Sequence, residues 1–223
     1  MTRLDDKMPL PMKIARGICI ILIIVTYAVL VHHVNTSGQG SGLGAVLALA
    51  PILLMIFTFA WQAESRILGF GLIVSSIVFC WLFWTIVKQH TDIIFWMQDI
   101  GIMMILLLTF GLTLKKGRKP LCVHFAEIIN GDVALPPAHV NYARQVTVAW
   151  VVFFTMIIIV STLLFFLAPL VIWSIFVNFL TLPLVVLMFL IEYMVRRRVL
   201  TDLPIGDLFD AVRAYLNHAK RNR

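Results

Sequence analysis

Six stretches of this chain are each long and apolar enough to cross about 30 Å of hydrocarbon. They cover roughly 14–32, 43–61, 67–87, 93–114, 146–168 and 171–194. A soluble domain is about half apolar and about a quarter charged. Here 61% of the 223 residues are hydrophobic and 13% are charged. Polar groups so few cannot cover that apolar surface, so the bilayer must be the solvent. The expected fold is all-α: one polytopic membrane domain over 1–223, with six transmembrane helices and short amphipathic surface helices. Lys13 and Arg16 precede the first run as they would in a signal peptide. No small-residue cleavage pattern follows in "YAVLVHHVNTSG", so a retained helix is expected.

The segment "EYMVRRRVLTDLP" (192–204) places three arginines directly against the last apolar run. Alternating six spans explains it. One set of loops comprises the N-terminus, 62–66, 115–145 and 195–223. It holds every Lys and Arg of the chain except Lys88, which lies in the other set. Positive charge is retained on the cytoplasmic side, so both termini are expected there, with a cytoplasmic loop at 115–145 and a cytoplasmic tail at 201–223. Arg196, Arg197, Arg198, Lys115 and Lys116 are then candidates for anionic headgroup binding. Glu192 stands one turn before Arg196, at pairing distance on a helix. The basic residues hug span ends and are not interleaved with aromatics, so no nucleic-acid partner is expected.

Within the large internal loop, Leu121, Phe125, Ile128 and Ile129 recur at helical spacing, with Gly131 as a C-cap. A short surface helix is expected there. Pro136 and Pro137 should open the helix that leads into the fifth span. In the tail, Asp202 is a candidate cap with Pro204 in the first turn. Ile205, Leu208, Phe209, Val212, Tyr215 and Leu216 form one apolar stripe, which describes an amphipathic surface helix. The segment "HVNTSGQGSG" (33–42) reads as a flexible loop.

Ionisable and polar groups at membrane depth are the strongest functional pointers available. Asp99 lies six residues into the fourth span, or about 9 Å deep at 1.5 Å per residue. Gln98 precedes it. Asn178 in the sixth span, Ser161 and Thr162 in the fifth, Trp84 and Trp81 in the third and Tyr27 in the first lie at similar depth. Two readings of this layer compete: interhelical hydrogen bonding with interfacial tryptophans, or a polar cavity that receives a headgroup or substrate. On the second reading Asp99, Gln98, Asn178, Trp84, Thr162 and Tyr27 bind substrate. Pro51 and Pro183 fall mid-span, where each removes a backbone hydrogen bond and kinks its helix.

No metal centre or cofactor is expected. His32, His33, His90 and Asp92 are the nearest approach to a ligand set, but the adjacent histidines point in different directions. Cys19, Cys80 and Cys122 show neither metal spacing nor an obvious pairing. No phosphate loop, nucleophile elbow, zinc-protease motif or dinucleotide fingerprint is present, and no catalytic residue is assigned.

The stretches "YARQVTVAWVVFF" (142–154) and "APLVIWSIFVNFLTLPLVVLMFLIEYMVRRRVL" (168–200) resemble a family of uncharacterised bacterial inner-membrane proteins. Its members are often encoded among genes for aryl-polyene pigment and related fatty-acid-synthase-like pathways. The resemblance implies a bacterial inner membrane and a role near acyl-chain or polyene assembly. The function expected on these grounds is a non-enzymatic accessory or transport protein that handles a lipid-like acyl or polyene product. A membrane-embedded acyl or glycosyl transferase and a structural subunit of a larger membrane complex are the alternatives. The expected partners are membrane lipids, other membrane subunits, and acidic soluble proteins such as an acyl carrier protein on the basic face.

Overall fold

The structure is a computed structural model that describes residues 10–36, 42–63, 65–115, 117–129 and 136–199. Its elements are α1 (Leu10–Thr36), α2 (Gly42–Gln62), α3 (Arg66–Gln89), α4 (Thr91–Thr113), α5 (Leu121–Ile129), α6 (Pro137–Leu167), α7 (Leu170–Ile175) and α8 (Thr181–Val199). A π turn, Phe176–Leu180, links α7 to α8. Six helices are long and apolar enough to span a membrane: α1, α2, α3, α4, α6 and the continuous stretch Leu170–Val199. The protein is thus an all-α, multi-pass membrane protein, and each of the six apolar runs corresponds to one helix. Pro137 opens α6, where its missing N–H is harmless because the first turn has no intrahelical acceptor for it. Residues 37–41 of the glycine-rich loop, Lys116, the Gly131 cap and the tail helix with its Asp202 cap lie outside the described residues.

The described residues form two compact units. One comprises residues up to Gln98 together with Leu164–Leu180. The other comprises Asp99–Leu163 and the residues from Thr181.

In the first unit α2 and α3 form a close antiparallel hairpin. α3 turns one stripe inward. Gly69 and Val87 on it are buried, and Ile73, Ser76, Cys80 and Trp84 are half-buried. The opposite face, with Phe70 and Trp81, stays exposed and is covered by the bilayer. Glycine is required at 69 because a Cβ there would collide with the backbone carbonyl of Ala60. Ala45, Leu49 and Val87 make one small core in this unit. Val31, Ala48, Phe95 and Trp173 make a second, through which α1 meets α2 and α7.

The second unit is organised by a seam between α4 and α6. The buried residues of α6 include Ala143, Thr147, Trp150, Phe154, Ile157 and Ser161. They recur at alternating steps of four and three, the spacing of a helix that presents one stripe to an antiparallel neighbour. α4 answers with Asp99, Met103, Leu106, Phe110 and Thr113, all buried or half-buried at the same alternating steps. The middle of the seam is aromatic. Phe110 lies 5.8 Å from Trp150 and 5.5 Å from Phe154, and Trp150 lies 4.6 Å from Phe189 of α8, between ring centroids.

Both ends of the seam are polar. At one end Ser161 meets Asp99. At the other, Thr113 and Thr147 dock α5. The first N–H groups of a helix have no partner within it. The N–H of Leu121 donates to Thr113 Oγ1 at 3.0 Å, and that of Cys122 donates to Thr147 Oγ1 at 3.3 Å. Val123 and Ile128 of α5 are buried, so the short amphipathic helix expected within 115–145 is present. Lys119 Nζ closes an ion pair with Glu127 at 2.9 Å. Burial pushes the Cys122 thiol up, only partly offset by its hydrogen bond to Thr147.

Candidate functional site

The residues singled out by depth do different jobs. Tyr27 and Gln98 both serve the backbone of α2. Pro51 lies inside that helix and has no N–H to give the carbonyl of Leu47, four residues back. An unbonded carbonyl in hydrocarbon costs several kcal/mol. Tyr27 Oη donates to Leu47 O at 3.2 Å, and Gln98 Nε2 donates to the next carbonyl, Ala48 O, at 2.7 Å. Tyr27 is therefore a cap on the proline break, and Gln98 adds a second donor to the carbonyl beside it. Trp84 is half-buried against the Ala45–Leu49–Val87 core, with Lys88 Nζ 5.9 Å from its ring centroid.

Asn178 turns back on its own span. Its Nδ2 donates to Ser174 O at 2.9 Å and lies 3.1 Å from Ser174 Oγ. Asn178 sits in the π turn. Pro183, shortly downstream, has no N–H to give Phe179 O, and the π turn precedes it in the chain.

Ser174 is the centre of this cluster, and depth alone did not single it out. It is wholly buried. Asn35 Nδ2 lies 3.4 Å from Ser174 Oγ, and His32 Nδ1 lies 3.1 Å from it. A hydroxyl has two lone pairs and one proton. The two amides point their donors at those lone pairs, and His32 Nδ1 completes the cluster. Phe179 packs edge-on to the imidazole at 5.5 Å. A sequence signal existed, since Ser174 and Asn178 stand four apart in a run otherwise apolar from Leu170 to Leu180. His32 is thus spoken for by a hydroxyl, and among the described residues no three potential ligands gather for a metal.

The candidate site is Asp99, in the other unit. Ser161 Oγ donates to Asp99 Oδ2 at 2.6 Å, from a wholly buried position on α6. Thr162, half-buried, follows Ser161 and belongs to the same unit. Among the described residues Ser161 is the only side chain that hydrogen-bonds Asp99, so Oδ1 remains as an acceptor for a further donor. The six depth-matched residues therefore divide. Tyr27, Trp84, Gln98 and Asn178 lie in one unit, Asp99 and Thr162 in the other.

Of the basic residues marked for headgroups, Arg196 Nε lies 3.6 Å from Glu192 Oε1. The guanidinium groups of Arg196 and Arg197 lie 5.7 and 5.8 Å from the Tyr193 ring centroid. Lys115, Arg197 and Arg198 are exposed. Tyr142 Oη donates to the Glu192 carbonyl at 3.2 Å, tying α6 to α8. No family model, curated protein or solved structure matches the chain.

The capping role of Tyr27 has a direct test. Tyr27→Phe should lower stability by about 0.5–1.5 kcal/mol, the usual net value of one hydrogen bond. Pro51→Ala restores a backbone N–H for Leu47 O. In that background the loss from Tyr27→Phe should shrink to near zero in a double-mutant cycle read by thermal melting. An equal loss in both backgrounds would show that Tyr27 stabilises by packing alone.

Proposed function

We propose that this chain is an accessory or transport protein of a bacterial inner membrane, with both termini cytoplasmic, that handles a lipid-like acyl or polyene product. The observation that carries the reading is Asp99. A carboxylate on a membrane helix costs about 2.5–3.5 kcal/mol even on the lenient insertion scale. One neutral side-chain hydrogen bond in a membrane gives back about 0.6–2 kcal/mol. A residue this costly, with one oxygen held by Ser161 and the other open to a donor, is suited to a hydroxyl or amine on the polar end of an amphipathic ligand. The apolar faces of the spans suit its tail. The acyl or polyene nature of that ligand rests on the family resemblance of 142–154 and 168–200. The orientation rests on the Lys and Arg distribution.

The transferase alternative has one observation in its favour. Ser174 and His32 stand as a nucleophile and a base do, 3.1 Å apart. Ser174 is wholly buried, however, and its lone pairs are filled by amides. The pair therefore reads as a structural junction. A purely structural Asp99 is the other reading, since a polar layer at the end of a helical seam can set its register.

Two measurements bear on the proposal. A cysteine placed at Ser37 should label from outside intact cells, and one at Arg221 only after permeabilisation. Labelling of position 221 from outside would reverse the orientation. Protein purified from producing cells should carry a bound lipid-like product. Asp99→Asn should lose it at an unchanged melting temperature, whereas Asp99→Leu should also melt earlier. An Asp99→Asn variant that keeps the bound product would leave only the structural role.

A further inference from the structure

We propose that Arg197 and Arg198 form a binding site for the phosphodiester group of an anionic phospholipid, at the end of the sixth span. Unit-level charge narrows the choice of residues. Lys119 is held by Glu127, and Arg196 by Glu192. The exposed cations then remaining in the described part of this unit are Lys115, Arg118, Arg144, Arg197 and Arg198. Arg197 and Arg198 are consecutive and stand directly at the end of a membrane-spanning helix, Leu170–Val199.

Arg197 is also held in place. Its guanidinium lies 5.8 Å from the Tyr193 ring centroid, one helical turn back, with Arg196 at 5.7 Å from the same ring. A cation over an aromatic face is attracted to it, so Arg197 loses less freedom when it meets a ligand. Tyr142 in turn fixes that turn of α8 through the Glu192 carbonyl. A guanidinium presents a planar fork of donors that matches two phosphate oxygens.

The position selects a lipid phosphate over a soluble one. Met194 and Val195, in the same turn, are 55% and 44% exposed. They offer an apolar surface to acyl chains directly beside the charge. Neither residue would favour a free, fully hydrated phosphate ion. Asp202, Asp207 and Asp210 follow in the sequence, and their charge is the alternative the test below must separate from a lipid.

The test is a lipid titration of the full chain in detergent, read by native mass spectrometry. Phosphatidylglycerol should bind more tightly than phosphatidylcholine. Arg197→Gln with Arg198→Gln should weaken phosphatidylglycerol binding on the order of 30-fold, since each arginine near a membrane surface contributes about 1 kcal/mol. Arg118→Gln with Arg144→Gln removes the same charge elsewhere in the unit and should change it far less. Equal losses in the two double variants would replace the site by a diffuse field. Full displacement by millimolar inorganic phosphate would overturn the lipid assignment. A gain in affinity of the same size on Asp202→Asn, Asp207→Asn and Asp210→Asn together would make the tail the resident occupant.

Discussion

The structure depends on one constraint: inside hydrocarbon, each backbone carbonyl and N–H must find its partner within the protein. Pro51 breaks that rule in the middle of α2, and a neighbouring helix repairs it: Tyr27 of α1 donates to the carbonyl of Leu47. Gln98 of α4 donates to the next carbonyl, Ala48 O, so α1 and α4 are both tied to α2 beside the break. α5 obeys the same rule at its own N-terminus, where Thr113 and Thr147 supply the acceptors that a short helix lacks.

Seen this way, most polar side chains in the spans are committed to the backbone or to each other. Ser174 binds Asn35, Asn178 and His32 at the junction of α1 with the last span. Asp99 differs in kind. Its carboxylate is more costly to bury than any amide or hydroxyl, and Ser161 takes up only one oxygen. The aromatic layers built on Trp150 hold α4, α6 and α8 in the unit that contains it, so Asp99 sits at the end of a packed seam and not on a free helix face.

The spans were legible because hydropathy is a local property, and twenty apolar residues in a row leave few other fates. The α6 seam was not legible, since Trp150, Phe154 and Ile157 stand among neighbours as apolar as themselves. The site was only half legible. Depth can be counted from a span end, and it drew attention to Asp99, Gln98, Asn178 and Tyr27. Depth says nothing about the direction a side chain takes around its helix. Tyr27 reaches Leu47 and Gln98 reaches Ala48 across twenty and fifty residues, and Asn178 curls onto its own turn. Ser174 escaped notice because a lone serine scarcely alters an apolar run. Its importance arises only when α1 brings His32 and Asn35 to it.

The central claim is that Asp99 is held by Ser161 within the α4–α6 seam, and cysteine cross-linking tests it most directly. In a chain with Cys19, Cys80 and Cys122 replaced by serine, cysteines are placed at Asp99 and Ser161, with a protease site inserted at 130–135. Side chains that meet at 2.6 Å put the paired cysteines within reach of a short bifunctional thiol reagent. The account predicts that such a reagent, applied to membranes, joins the two cleaved halves efficiently. It also predicts no such product for cysteines at Asp99 and Leu163, because Leu163 lies two positions on and is 51% exposed. Efficient joining of 99 to 163 without joining of 99 to 161 would contradict the register of the seam and, with it, the placement of the candidate site.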